Sequence, residues 1–203
     1  MATAPTPTTL GPDTAAPVRF VSSPSPARTI ARWMVSFLGF PLGGFAATLV
    51  VGAVDNLTAA LIGGLITGTI LGVAQSWAMG RSGPPARQWI TATALGLTAG
   101  FGVGSAVVDY HTSLAALIVQ GAISGLAVGL AQALVLRHRL GRLALVWPAA
   151  LPVVWALGWV VTTSIGIAVD QQFIVFGASG ALVVTALTAV LPLILTRNAA
   201  VAS

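Results

Sequence analysis

The chain has 203 residues, of which 56% are hydrophobic and only 6% charged, and its mean hydropathy is +0.95. A soluble domain carries about 25% charged residues, so the composition excludes an ordinary soluble fold and leaves little room for a separate aqueous domain. The net charge of +5 does not point to nucleic acid, because the basic residues stand singly around apolar runs instead of forming a patch. No cysteine is present, which excludes disulfides and thiolate ligands, and with no lysine there is no Schiff-base site.

Residues 1–30 begin as a tract of Ala, Thr, Pro and Ser. Such a composition buries too little apolar surface to offset its ordering entropy. It lacks the basic start and apolar middle of a signal peptide, and it reads as a disordered cytoplasmic tail. A membrane domain is expected over 31–196, followed by a short tail at 197–203. A crossing helix needs about 20 apolar residues. Reading between polar breaks gives spans at 33–54, 57–79, 89–108, 113–136, 147–169 and 173–195. These runs are too long and too uninterrupted for barrel strands, so the fold class is all-α integral membrane with six transmembrane helices. Pro41, Pro148, Pro152 and Pro192 should bend the first, fifth and sixth spans locally.

Topology follows from the arginines. Arg19, Arg28 and Arg32 precede the first span, Arg81 and Arg87 follow the second, Arg137, Arg139 and Arg142 follow the fourth, and Arg197 follows the sixth. All fall on one side. The positive-inside rule then puts both termini in the cytoplasm of a cell whose plasma membrane the chain crosses. Trp33, Trp77, Trp89 and Trp147 lie at the same ends, where indoles favour the headgroup level.

The chain repeats about every 55–60 residues. Gly64, Gly68, Gly72 and Gln75 of the second span match Gly121, Gly125, Gly129 and Gln132 of the fourth. The sixth keeps Ser179-Gly180 against Ser124-Gly125, with Leu187 where Gln132 stands. Three tandem α-hairpins are expected, at about 31–80, 87–137 and 142–196. Each crosses twice, so all share one orientation, and a pseudo-threefold bundle is the natural arrangement. Lipid tails are as apolar as leucine, so helices in lipid associate by close packing; small residues four apart let backbones approach. The six glycines above are the candidate packing residues.

Asp55, Asp109 and Asp170 each end an apolar run on the side opposite the arginines, in a chain with four acidic residues. Aspartate is a favoured helix N-cap and suits the helix dipole, and capping is the preferred reading. The alternative is a ring of carboxylates at the mouth of a cation pathway, with His111 beside Asp109 as a pH-responsive group. Gln75 and Gln132 lie about one turn inside the cytoplasmic boundary. They fit either interhelical hydrogen bonding or the lining of a polar vestibule.

No ionisable residue lies near the centre of any span, where proton relays and coupled pumps carry one. No metal-ligand cluster, cofactor motif or nucleophile–base set stands out, and the glycine run at 100–109 follows no strand. The chain is therefore not expected to be an enzyme or to hold a cofactor or metal. The stretches 63–81 and 120–140, each with Gly-x-x-x-Gly-x-x-Gln before an arginine, resemble an element of bacterial multi-pass membrane proteins of unassigned function; the resemblance covers about two hairpins and implies no activity. Three tandem two-helix units are also similar in architecture to mitochondrial carriers, but the carriers' Pro-x-acid-x-x-basic motif is absent from the odd spans. Two functions fit: a non-catalytic scaffold or partner subunit that associates with itself or another membrane protein in the bilayer, or a small uncoupled channel or facilitator for a neutral or cationic solute.

Overall fold

A computed structural model describes residues 25–166 and 178–201, and every regular element among them is helical. The α-helices are α1 (Pro26–Val35), α2 (Gly39–Val51), α3 (Leu57–Met79), α4 (Ala86–Val107), α5 (Leu114–Leu140), α6 (Val146–Ser164), α7 (Ala178–Thr188) and α8 (Val190–Val201). Five helical stretches are long and apolar enough to cross a membrane: Pro26–Val51, Leu57–Ser82, Ala86–Val107, Leu114–Ser164 and Ala178–Asn198.

The stretch Leu114–Ser164 has 51 residues. As one straight helix it would run roughly 75 Å, over twice the hydrocarbon thickness. It is instead α5 and α6, joined by a 3-10 turn at Gly141–Leu145. Gly141 opens that turn at φ +54, a left-handed conformation that glycine takes without steric cost. The two helices then run antiparallel, since Gly121, Gly125 and Gly129 face Trp159, Leu151 and Pro148 in descending order.

The prolines act one turn upstream of themselves. A proline inside a helix lacks the N–H for the carbonyl four residues earlier and crowds it. Pro41 is preceded by the 3-10 turn Ser36–Leu38 between α1 and α2. Pro192 is preceded by the break at Ala189 that separates α7 from α8. Pro148 falls in the first turn of α6, where no donor is required, and Pro152 is carried inside α6 without breaking the helix. The first helix begins earlier than the sequence suggests: Ser25 caps it by accepting from Arg28 N at 3.4 Å, so residues 26–30 are helical and not tail. At the other end α8 runs to Val201, past the expected close of the last span.

Consecutive helices pack against one another in chain order, and α7 and α8 return to α1, which closes the bundle. From α2 to α6 the small residues sit on the earlier helix of each seam. Gly39 and Gly43 of α2 face Leu71 and Thr67 of α3; Gly96, Gly100 and Gly104 of α4 face Val128, Ser124 and Gln120 of α5. A Cβ on Gly68 would lie 2.8 Å from Ala94 Cα, and one on Gly125 2.6 Å from the Leu151 carbonyl oxygen. Only glycine permits such backbone contact. At the α6–α7 seam the order reverses, and Gly180 of the later helix abuts the Gly158 carbonyl of α6. The α8–α1 closure has no such glycine contact among the described residues and depends on side chains.

Phe40, Leu71, Leu97, Val128, Trp155 and Val184 fill the interior, and Phe40 meets Trp155 edge-on at 5.8 Å between ring centroids. Leucine and valine side chains such as Leu42, Leu49, Leu134 and Val153 point outward and are exposed, the arrangement of a bundle whose surroundings are apolar.

Replacing Gly125 by alanine is expected to destabilise the bundle by about 1–3 kcal/mol through overpacking. Leu126→Ala, on the outward face, should stay within about 0.5 kcal/mol. Reversible unfolding in mixed micelles reads both.

Candidate functional site

Among the described residues, the most connected polar group lies inside the bundle, toward the arginine-bearing ends of the helices. Gln132 of α5 is 2% exposed, and Trp89 and Thr93 of α4 are fully buried. A buried amide in such a place must find partners, and these do. The Trp147 indole N–H donates to Gln132 Oε1 at 2.6 Å, and the Trp89 indole N–H donates to Gln75 Oε1 at 3.1 Å. Gln132 Nε2 donates to Thr93 Oγ1 at 2.9 Å and reaches Gln75 Oε1 at 3.4 Å. The Thr93 hydroxyl donates in turn to the Trp89 carbonyl at 2.8 Å. An indole nitrogen can only donate, so the two tryptophans fix which end of each amide faces them.

The same bond closes the bundle. The Trp33 indole of α1 donates to the Thr185 carbonyl at 3.0 Å and to Thr188 Oγ1 at 3.2 Å. Thus Trp89 and Trp147 each reach back to the preceding helix, and Trp33 of the first helix reaches across to α7. The structure corrects their expected role: Trp33 and Trp89 are core residues, not headgroup anchors, because a buried indole is stable once its N–H has an acceptor. Trp77 alone of the four is largely exposed; Arg32 stacks over its ring at 4.9 Å and donates to its carbonyl.

Thr188 was not legible as the counterpart of Gln132, since matching Ser179-Gly180 to Ser124-Gly125 puts Leu187 there. The helix faces decide otherwise. Leu71 and Gln75, Val128 and Gln132, and Val184 and Thr188 all line one axial cavity, whereas Leu187 is half-exposed. A one-residue shift of the last repeat, keeping the four-residue step toward the polar side chain, finds Thr188. The cavity measures about 10 Å³, roughly the space of a single water.

Of the candidate residues, Gln75 and Gln132 are thus brought together. Gly64, Gly68 and Gly72 of α3 lie against Leu97, Ala94 and Ile90 of α4, and Gly121, Gly125 and Gly129 of α5 against α6. Asp55 and Asp109 do not cap. Asn56 caps α3, accepting from Ala59 N at 2.9 Å, while exposed Asp55 accepts from the Asn56 side chain at 2.6 Å. Ser113 caps α5. Asp109 belongs to the end of α4: it and Tyr110 turn the chain with φ of +49 and +57, and their amides bond back to Ala106 and Ser105. The residue immediately before each helix takes the cap, and the aspartate one or four places earlier is left to solvent. Asp170 lies outside the described residues. Beyond the axial cavity, on the same helix faces, Thr67 Oγ1, Ser124 Oγ and Gln120 Oε1 are buried with no protein partner.

Comparison of the chain with protein-family models, with curated proteins and with solved structures finds no match.

Gln132→Leu removes an acceptor from Trp147 and a donor from Thr93, and is expected to destabilise by about 1 kcal/mol. Trp147→Phe should cost a similar amount. The double variant should be non-additive, measured by reversible unfolding with Trp fluorescence.

Proposed function

We propose that the chain crosses the plasma membrane six times, as three tandem helical hairpins around a pseudo-threefold axis with both termini in the cytoplasm, and acts as a non-catalytic scaffold or partner subunit. The packed axis carries this reading. Leu71, Val128 and Val184 meet there, and the amide cluster next to them is locked by indole donors, leaving space for about one water. The hairpin of α5 and α6 supplies two crossings from one apolar stretch. The arginines support the sidedness: Arg32 reaches the end of α3, and Arg139 donates to the Ser82 carbonyl at 3.2 Å, so the helix ends that carry them are gathered together. The buried polar side chains of the axis are amides and hydroxyls, which bind and orient but do not transfer protons at neutral pH.

One observation favours the channel reading. Thr67, Ser124 and Gln120 leave unpartnered oxygens on the axial faces beyond Leu71 and Val128, and such atoms are commonly met by water. A pathway would then have to open at the Leu71, Val128 and Val184 layer.

Two measurements separate the readings. Purified protein in vesicles should leave permeability to water, glycerol and monovalent cations at the protein-free level; solute flux proportional to protein would overturn the scaffold in favour of the channel. A photo-crosslinking side chain at Leu95 or Leu134, both exposed on the outer face, should yield a discrete protein adduct in cells. Adducts with lipid alone would contradict a scaffold.

A further inference from the structure

A second cavity lies on the flank of the bundle, between α6 and α8. It exists because the break at Ala189 turns α8 onto α1 and the Gly80–Ser82 turn, while α7 stays on α6. The cavity measures about 320 Å³, within the range of about 300–1,000 Å³ typical of ligand pockets. Leu136, Ala144, Leu151 and Leu191 form a buried floor, and Leu143, Val146, Leu187 and Val190 an exposed rim. Its walls are almost wholly apolar. Left empty, they would forfeit dispersion contacts along their length. Trp147 divides this cavity from the axis: the same indole that donates to Gln132 presents its ring to the crevice.

Charge frames one end. Arg142 immediately precedes Leu143 on one wall. On the other, Val190, Ile194 and Arg197 follow one another at steps of four and three, along one face of α8. Arg32 and Arg139 are engaged with carbonyls at the end of α3, whereas Arg142 and Arg197 are exposed and have no partner among the described residues. The described acids, Asp55 and Asp109, sit at the opposite ends of their helices.

We propose that this crevice seats one acyl chain of an anionic phospholipid whose phosphate is held by Arg142 and Arg197. The lipid then becomes a packing element of the bundle, filling the gap left by the proline-induced break and supporting Trp147 from its outer side. The inference rests on the membrane placement proposed above and would fail separately from it: a chain recovered from cells without detergent would defeat the placement, whereas the experiment below addresses only the crevice.

Native mass spectrometry of the full chain in mild detergent tests it, with phosphatidylglycerol and phosphatidylcholine as probes. The wild type should retain one phosphatidylglycerol in preference to phosphatidylcholine. Ala150→Phe, which fills the crevice from its α6 wall, should abolish that retention. The exposed pair Arg142→Gln with Arg197→Gln, which leaves the packing untouched, should weaken it by about tenfold or more. The pair Arg28→Gln with Arg87→Gln, an equal change of charge on the exposed faces of α1 and α4, should leave it unaltered. Equal retention of the two lipids, or equal loss with the Arg28 and Arg87 pair, overturns the proposal. So does a benzoylphenylalanine at Val190 that crosslinks to protein, including residues 1–24 of the same chain, instead of phospholipid.

Discussion

Helices surrounded by hydrocarbon gain nothing by exchanging lipid for leucine, so whatever holds them together must come from close contact and from polar groups that have nowhere else to bond. In this chain the close contact is backbone against backbone. It recurs from seam to seam: between α2 and α6 the glycines lie on the earlier helix of each pair, Gly43 on Thr67, Gly68 on Ala94, Gly100 on Ser124 and Gly125 on Leu151, and at the α6–α7 seam Gly180 of the later helix meets Gly158. Each of α2 to α5 thus offers a thin face to the helix that follows it. The helices are held close enough that side chains on their inner faces reach the axis.

The polar bonds follow from that spacing. Trp89 and Trp147 can donate across to Gln75 and Gln132 only because the Gly72 and Gly129 turns of α3 and α5 let α4 and α6 come near. Where the ring closes, α1 offers Trp33 to Thr185 and Thr188, and the indole bond stands in for the missing glycine contact. The result is an interior whose apolar layer, Leu71, Val128 and Val184, is backed by amides with specified orientations. A polar group in lipid that is fully bonded fixes geometry as well as adding stability. This is the build of a packed frame, and the outward leucines and the α6–α8 crevice are the apolar surfaces it leaves open.

Much of this was legible in the sequence and some was not, for physical reasons. The apolar runs and the arginines placed the helices, because length and charge are properties of single segments. Glycines four apart marked the close faces, because a helix face repeats at that step. The tryptophans misled: at a run's end an indole suits the headgroups equally well, and only the neighbouring helix shows that Trp33 and Trp89 have buried acceptors. Asp55 and Asp109 misled in the same way, since Asn56 and Ser113 compete for the caps and win by being one residue before the first turn. Thr188 was hidden because a Ser-Gly pair outweighs helical register in a linear comparison. The break at Ala189 was signalled by Pro192, but the crevice it opens depends on where α8 then goes.

The sealed axis is the claim on which the account stands, and the chain's lack of cysteine makes it directly measurable. Single cysteines at Leu71 and Val128 would be challenged with a small membrane-impermeant thiol reagent from each side of sealed vesicles in turn. Cysteines at Asn56 and Arg142 would serve as the exposed positions on opposite sides. The account predicts that Asn56→Cys and Arg142→Cys react, each from one side only, while Leu71→Cys and Val128→Cys react from neither. Reaction at Leu71 or Val128 from either side would mean that water reaches the middle of the bundle, and the packed frame described here would be wrong.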